Sequence, residues 1–178
     1  MVLFLLLLPH PAEAQMRPIP GPVREAFSRA RIPLLKNRAL AEDFSLPLLN
    51  GGARSLDELK GKVVFLNFWA TWCPPCRAEM PSMETLYRRL GEKGLEFLAV
   101  DIQEKQKPVE AFIKERGLTF PVALDESGWI SGIYGIRSIP STFIIDRDGS
   151  IIAVAVGGRK WDSPEVIAAF EALLNNAG

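Results

Sequence analysis

The 178-residue sequence predicts an α/β domain, a mixed central sheet flanked by helices, with an added N-terminal β-hairpin. Three observations carry that prediction. Two near-continuous apolar runs of strand length, KVVFLNFWA and GLEFLAVDI, are each followed by a stretch of helical character. Such strand–helix crossovers imply a parallel core covered on both faces. In STFIIDRDGSIIAVAVG, two apolar stretches surround Asp148-Gly149, which reads as an antiparallel hairpin and makes the sheet mixed. FSLPLLNGGARSL repeats that signal around Asn50-Gly51-Gly52, ahead of the long strands.

The elements follow in chain order. MVLFLLLLPHPAEAQ begins with an apolar run, Val2 to Leu8, far shorter than the roughly 20 residues of a membrane span. With Ala12-Glu13-Ala14 as a small-x-small cleavage pattern, residues 1–14 read as a secretory signal and Gln15 as the first mature residue, so the protein is expected to be periplasmic or otherwise exported. No Lys or Arg precedes the run; a longer true N-terminus would add a fuller signal or a membrane anchor, and a start at Met16 would leave a cytosolic protein. Residues 15–40 form a Pro/Arg-rich arm. Prolines at 18, 20 and 22 forbid regular structure at first, and Val23 to Arg31 then suits two helical turns. Residues 41–178 make the domain proper.

Within it, SLDELKG reads as a short helical turn capped by Ser55 and stopped by Gly61. From Pro74 a helix carries Met80, Met83, Leu86, Tyr87 and Leu90 at helical spacing, ends at Gly91 and contains Pro81, which should kink it. KPVEAFIKERG is the next helix, with Gly117 after its end. FPVALDESGWISGIYGI holds a short strand and a short helix. SPEVIAAFEALLNN closes the chain, with Ser163 as N-cap and Pro164 at the first position. At 48% hydrophobic and 24% charged residues the composition suits one globular domain. Lys plus Arg equal Asp plus Glu at 21 each, which gives no global charge for a nucleic-acid partner. The local basic stretch from Arg17 to Arg38 is either a solvated arm or a docking surface for lipid or a partner.

The chemistry concentrates in FWATWCPPCRAEMPS, which holds both cysteines, Cys73 and Cys76. A structural bridge across two intervening residues hardly constrains the unfolded chain. A zinc site needs about four ligands, and neither a second pair nor a histidine outside the removable segment is present, so no metal is expected. The remaining role is redox. At a strand-to-helix junction Cys73 lies at the helix N-terminus, where orphan N–H groups and the dipole favour its thiolate, and Cys76 lies one turn inside. Cys73 is the expected nucleophile and Cys76 the resolving thiol, the internal disulfide serving as the only redox group with no further cofactor. Pro74 and Pro75 remove two backbone donors near the sulfurs, which argues for a more reducing couple.

VVFLNFWATWCPPCRAEMPSMETL, preceded by DFSLPLLNGGARSLDELKGK and followed by IPSTFIIDRDG, resembles the TlpA, ResA and CcmG group of thioredoxin-like proteins. The resemblance implies a thioredoxin fold and thiol:disulfide exchange outside the cytoplasm. Its clients would be proteins with cysteine pairs, apocytochrome c or copper-site proteins of respiratory oxidases, and a membrane thiol-disulfide donor would supply electrons. It also matches Pro140 to a cis-proline packed on the active-site disulfide, which would turn the backbone of Ile139 toward an incoming peptide. Glu79 matches an acid near the site, able to exchange protons with Cys76 or raise its pKa. Trp72 is expected to wall the site, with Pro74 and Pro75 shaping the loop. Trp69, alternating with Phe65, is expected in the core, and Trp129 and Trp161 are read as packing residues. Two alternatives stay open. One is a non-catalytic Cu(I) or apo-protein carrier using the dithiol with Met80 and Met83 nearby. The other is a peroxiredoxin, whose opening AEDFSLPLLNGGARSLDELKGKVV also resembles, although no Pro-x-x-x-Thr-x-x-Cys pattern precedes Cys73.

Overall fold

The structure is a computed structural model that describes residues 16–176. The segment read as a secretory signal lies outside the described residues. Five strands form the central sheet in the order β5-β4-β3-β6-β7: β3 (Val63–Trp69), β4 (Leu95–Ile102), β5 (Val122–Asp125), β6 (Ser141–Ile145) and β7 (Ile151–Val156). β3, β4 and β5 run parallel, while β6 is antiparallel to both β3 and β7. The mixed sheet read from the sequence is present. Parallel neighbours need long crossovers, and α2 (Pro74–Leu90) and α3 (Gln106–Arg116) provide them. The short α4 (Trp129–Ile133) leads from β5 towards β6, and α5 (Pro164–Asn175) closes the fold. Ser163 caps α5 by accepting the Val166 N–H at 3.3 Å, as expected. α2 runs without interruption through Pro81.

All seven residues of β3 are buried, because both of its faces are covered. One face carries Phe65 and Trp69 against α2 and α5; the other carries Leu66 and Phe68 against Phe44, Leu46 and Ile130. The anticipated N-terminal hairpin pairs β1 (Ser45–Pro47) with β2 (Ala53–Ser55). Between its two strands, Leu48 and Leu49 bridge to the outer edge of β5.

The Pro/Arg-rich stretch is packed into the same molecule. Its helix α1 (Gly21–Arg29) starts two residues earlier than the sequence suggested, because Pro22 sits in the first turn, where its missing N–H costs nothing. Val23 and Phe27 are buried, Phe27 against Phe170 of α5. The chain then returns along β7, where Leu34 bridges to Ala153 and Leu40 to Ser150, so the open sheet edge is partly covered. Several arginines of this stretch are engaged: Arg29 pairs with Glu25, and Arg38 donates to Ser150 and to the Arg17 carbonyl. The Arg17 N–H is held by Asp148 at 2.9 Å, at the β6–β7 turn. That turn lies at the start of β3, and Cys73 follows the other end of the strand, about 20 Å away at roughly 3.3 Å per residue.

Candidate active site

Trp72, Cys73, Pro74, Pro75 and Cys76 lie where β3 ends and α2 begins, and Ile139 is brought up beside them. Cys73 is the N-cap of α2, in extended conformation, and is disulfide-bonded to Cys76 with an S–S distance of 2.08 Å. The Cys76 N–H donates to Cys73 Sγ at 3.3 Å. Pro74 and Pro75 occupy the first two helical positions and have no N–H, so the Cys76 amide is the one first-turn donor directed at the sulfur. Cys73 is 3% exposed and Cys76 0%, so both sulfurs of the disulfide are buried. The Ile139–Pro140 peptide is cis, and the Ile139 carbonyl oxygen stands 3.7 Å from Cys73 Sγ, a contact distance to a sulfur that has no hydrogen to donate. Pro140 is buried and Ile139 half-buried. Trp72 is 64% exposed and stands out beside Cys73.

Glu79 is buried at 3% exposure, a turn beyond Cys76 on α2. Asn67 Nδ2 donates to its Oε1 at 3.0 Å, while Trp161 Nε1 at 3.0 Å and the Arg159 N–H at 3.2 Å donate to Oε2. Burial pushes its pKa up to about 7, against the pull of these donors, which favour the ionised form. Asn67 also donates to Thr142 at 2.9 Å, which links the carboxylate to the strand that follows Pro140. A groove between α2 and the segment after β7 is lined by Pro75, Glu79, Ser82, Arg159, Lys160 and Asp162.

A second buried acid was not singled out from the sequence. Asp101, paired with Trp69 across β4 and β3, is fully buried, and among the described residues neither of its oxygens meets a hydrogen-bond partner. Burial first, then the neighbouring Glu104 carboxylate, pushes its pKa up to about 9. Glu104 accepts both the N–H and the hydroxyl of Thr71 at 2.6 Å each, which fixes the loop just before Cys73.

Trp69 lies in the core as expected. Trp161 is buried too, but its indole N–H makes it a partner of Glu79 and more than packing. Trp129 corrects the expectation of a packing residue: it is 70% exposed, because α4 turns its Ile130 side, not Trp129, to the sheet. Met80 and Met83 are both 0% exposed in the core, which removes them as ready soft ligands for a copper carrier. Among the described residues no cluster of three or more His, Cys, Asp or Glu could hold a metal. In the peroxiredoxin pattern a proline and a threonine would stand at the positions of Leu66 and Ala70.

A model of the AhpC/TSA family matches residues 38–154. The thiol-disulfide oxidoreductase ResA of Bacillus thuringiensis strain Al Hakam is 45% identical over 117 residues, covering 66% of this chain and 68% of that protein. ResA of Halalkalibacterium halodurans is 45% identical over 118 residues, 66% of this chain and 67% of its own. Among solved structures, a Chlorobium tepidum protein described as a DsbE-type thiol:disulfide interchange protein superposes with a TM-score of 0.72 at 33% identity, covering 79% of this chain and 99% of that one. StoA of Bacillus subtilis gives 0.61 at 28% identity, with 76% and 98% covered.

Proposed function

Because this chain belongs to the AhpC/TSA family and is a thioredoxin-fold thiol-disulfide oxidoreductase of the TlpA/ResA/CcmG kind, we propose that it works as a reductant of disulfides in exported client proteins. Its clients on this reading are apocytochrome c or copper-site proteins of respiratory oxidases, as the resemblance implies, and a membrane thiol-disulfide donor resets it.

The carrying observation is the Cys73–Cys76 pair at the start of α2, Cys73 at the helix N-cap and Cys76 sealed inside the first turn, with the Ile139 carbonyl beside Cys73 Sγ. In the reduced protein the Cys73 thiolate attacks a client sulfur; the client S–S bond breaks, a mixed disulfide forms, and the departing client thiolate takes up a proton. Cys76 then loses its proton to Glu79 and attacks Cys73. The client leaves with its second thiol, and the chain is left with the Cys73–Cys76 disulfide, two electrons having passed to the client. A carboxyl near pKa 7 suits a proton acceptor at neutral pH. Trp72 beside the sulfur and the Ile139 backbone give an extended client segment something to rest on.

The direction rests on the two prolines: with one first-turn amide at the sulfur, the thiolate is less stabilised and the disulfide correspondingly harder to reduce. Equilibration against a dithiothreitol ladder should place the potential near or below thioredoxin's, roughly −270 mV. A value close to that of the strong periplasmic oxidant, roughly −120 mV, would reject the reductant reading.

A further inference from the structure

Glu79 is not held by its own helix. Two of its three hydrogen-bond donors come from one short segment, Gly158 to Asp162, between β7 and α5. There the Arg159 N–H and the Trp161 indole N–H both reach Oε2, and the Trp161 N–H is itself fixed on the Ser82 hydroxyl at 3.0 Å. The Trp161 ring is locked in the core, edge-on to Phe65 with centroids 4.8 Å apart, and the Arg159 guanidinium lies over its face at 5.0 Å.

The same guanidinium faces the other way onto the N-terminal helix. It donates to the Ala30 carbonyl at 2.8 Å and the Arg31 carbonyl at 3.3 Å, at the C-terminus of α1. Arg31 there takes a left-handed φ of 53°, and Ile32 N–H closes back onto the Phe27 carbonyl. That closure aims the last carbonyls of α1 outward, where a cation is favourable.

We propose that Arg159 and Trp161 are positioning residues for the redox-site carboxyl, and that the docked helix α1 acts on Glu79 through Arg159. The inference rests on the reading of Glu79 as the proton partner of Cys76. Around the carboxyl, the charged or titratable groups are Arg159 and, along the groove, Lys160 and Asp162, which pair at 3.9 Å; Asn67 of β3 and Thr142 of β6 are neutral, and the Cys73–Cys76 disulfide does not titrate. Both the Trp161 hydrogen bond and the Arg159 charge favour ionised Glu79, so losing either raises its pKa.

The test uses the full chain, oxidised, with the Glu79 carboxyl followed by carbon-13 NMR against pH. Trp161→Phe, which keeps an aromatic ring and removes one donor to a charged acceptor, should raise the midpoint by roughly one pH unit, a tenfold change in ionisation. Arg159→Met, at a half-exposed position, should raise it by less and should also speed amide exchange over residues 27–32. An unmoved midpoint in Trp161→Phe, or unchanged exchange in Arg159→Met, overturns the proposal. The pH–rate profile of disulfide reduction should shift in parallel, and Trp161→Phe should lose that effect in a Glu79→Gln background. A midpoint that moves while the rate profile stays put keeps the positioning role and sinks the proton-partner reading of Glu79 instead.

Discussion

Cys73 and Cys76 differ by little in accessibility, so on the proposed reading their opposite fates follow from position: Cys73 is the N-cap of α2, with the Cys76 amide on its sulfur, and Cys76 lies inside the first turn. Cys76→Ala should accumulate client mixed disulfides through Cys73, and Cys73→Ala in the same background should abolish them; non-reducing gels of cell extracts decide, and trapping that survives loss of Cys73 reverses the roles. Glu79 makes a separate demand on stability. Its folded pKa of about 7 exceeds its ordinary 4.5, so the folded state binds the extra proton between those values. Its contribution is whole below about pH 4.5 and is lost as pH rises through about 7, at a slope of up to about 1.4 kcal/mol per pH unit. Urea unfolding of Glu79→Gln across that window should show a flatter profile than the parent. Of this site, the cysteines and prolines were readable as a motif, and Asn67 could have been noticed as the one polar residue inside an apolar strand. Trp161 gave no such signal, since a core tryptophan and one that donates to a buried carboxylate look alike in sequence.

At the scale of elements, β4 ends on a fully buried acid. Asp101 carries a pKa of about 9 against an ordinary 3.8, so its ionisation opposes folding progressively from about pH 4 through about pH 9. Asp101→Asn should therefore gain stability relative to the parent as pH rises, by a few kcal/mol at pH 9, with little difference at pH 4. Calorimetry at several pH values checks this, and a constant offset would contradict it. The contact between the first turn of α2 and the segment after β7 is equally exacting: a β-carbon at Gly158 would lie 2.9 Å from the Pro75 carbonyl oxygen. Gly158→Ala should cost about 1–3 kcal/mol and slow disulfide exchange, because the first turn of α2 must move. Strands, crossovers and hairpins were legible because hydrophobic period and turn residues are local properties. Helix α1 was misplaced by two residues because prolines were read as barriers where one of them begins the helix.

For the molecule as a whole, the N-terminal stretch and the domain share one core. Phe27→Ala should cost about 3–5 kcal/mol and lower a single unfolding transition seen by every probe. A separate early melt of residues 16–40 would instead make them an appendage. That sharing was not legible, since contact between α1 and α5 joins segments far apart in sequence and leaves no periodic trace. The same holds for the two sheet edges, one covered by residues around Leu34 to Leu40 and the other by Leu48 and Leu49. The clasp between Arg17 and Asp148 also gives the molecule a polarity. The first described residues are thereby fastened at the pole remote from the sulfurs. On the proposed reading, a client reaches the molecule from the opposite pole, and nothing at the N-terminal clasp stands in its way.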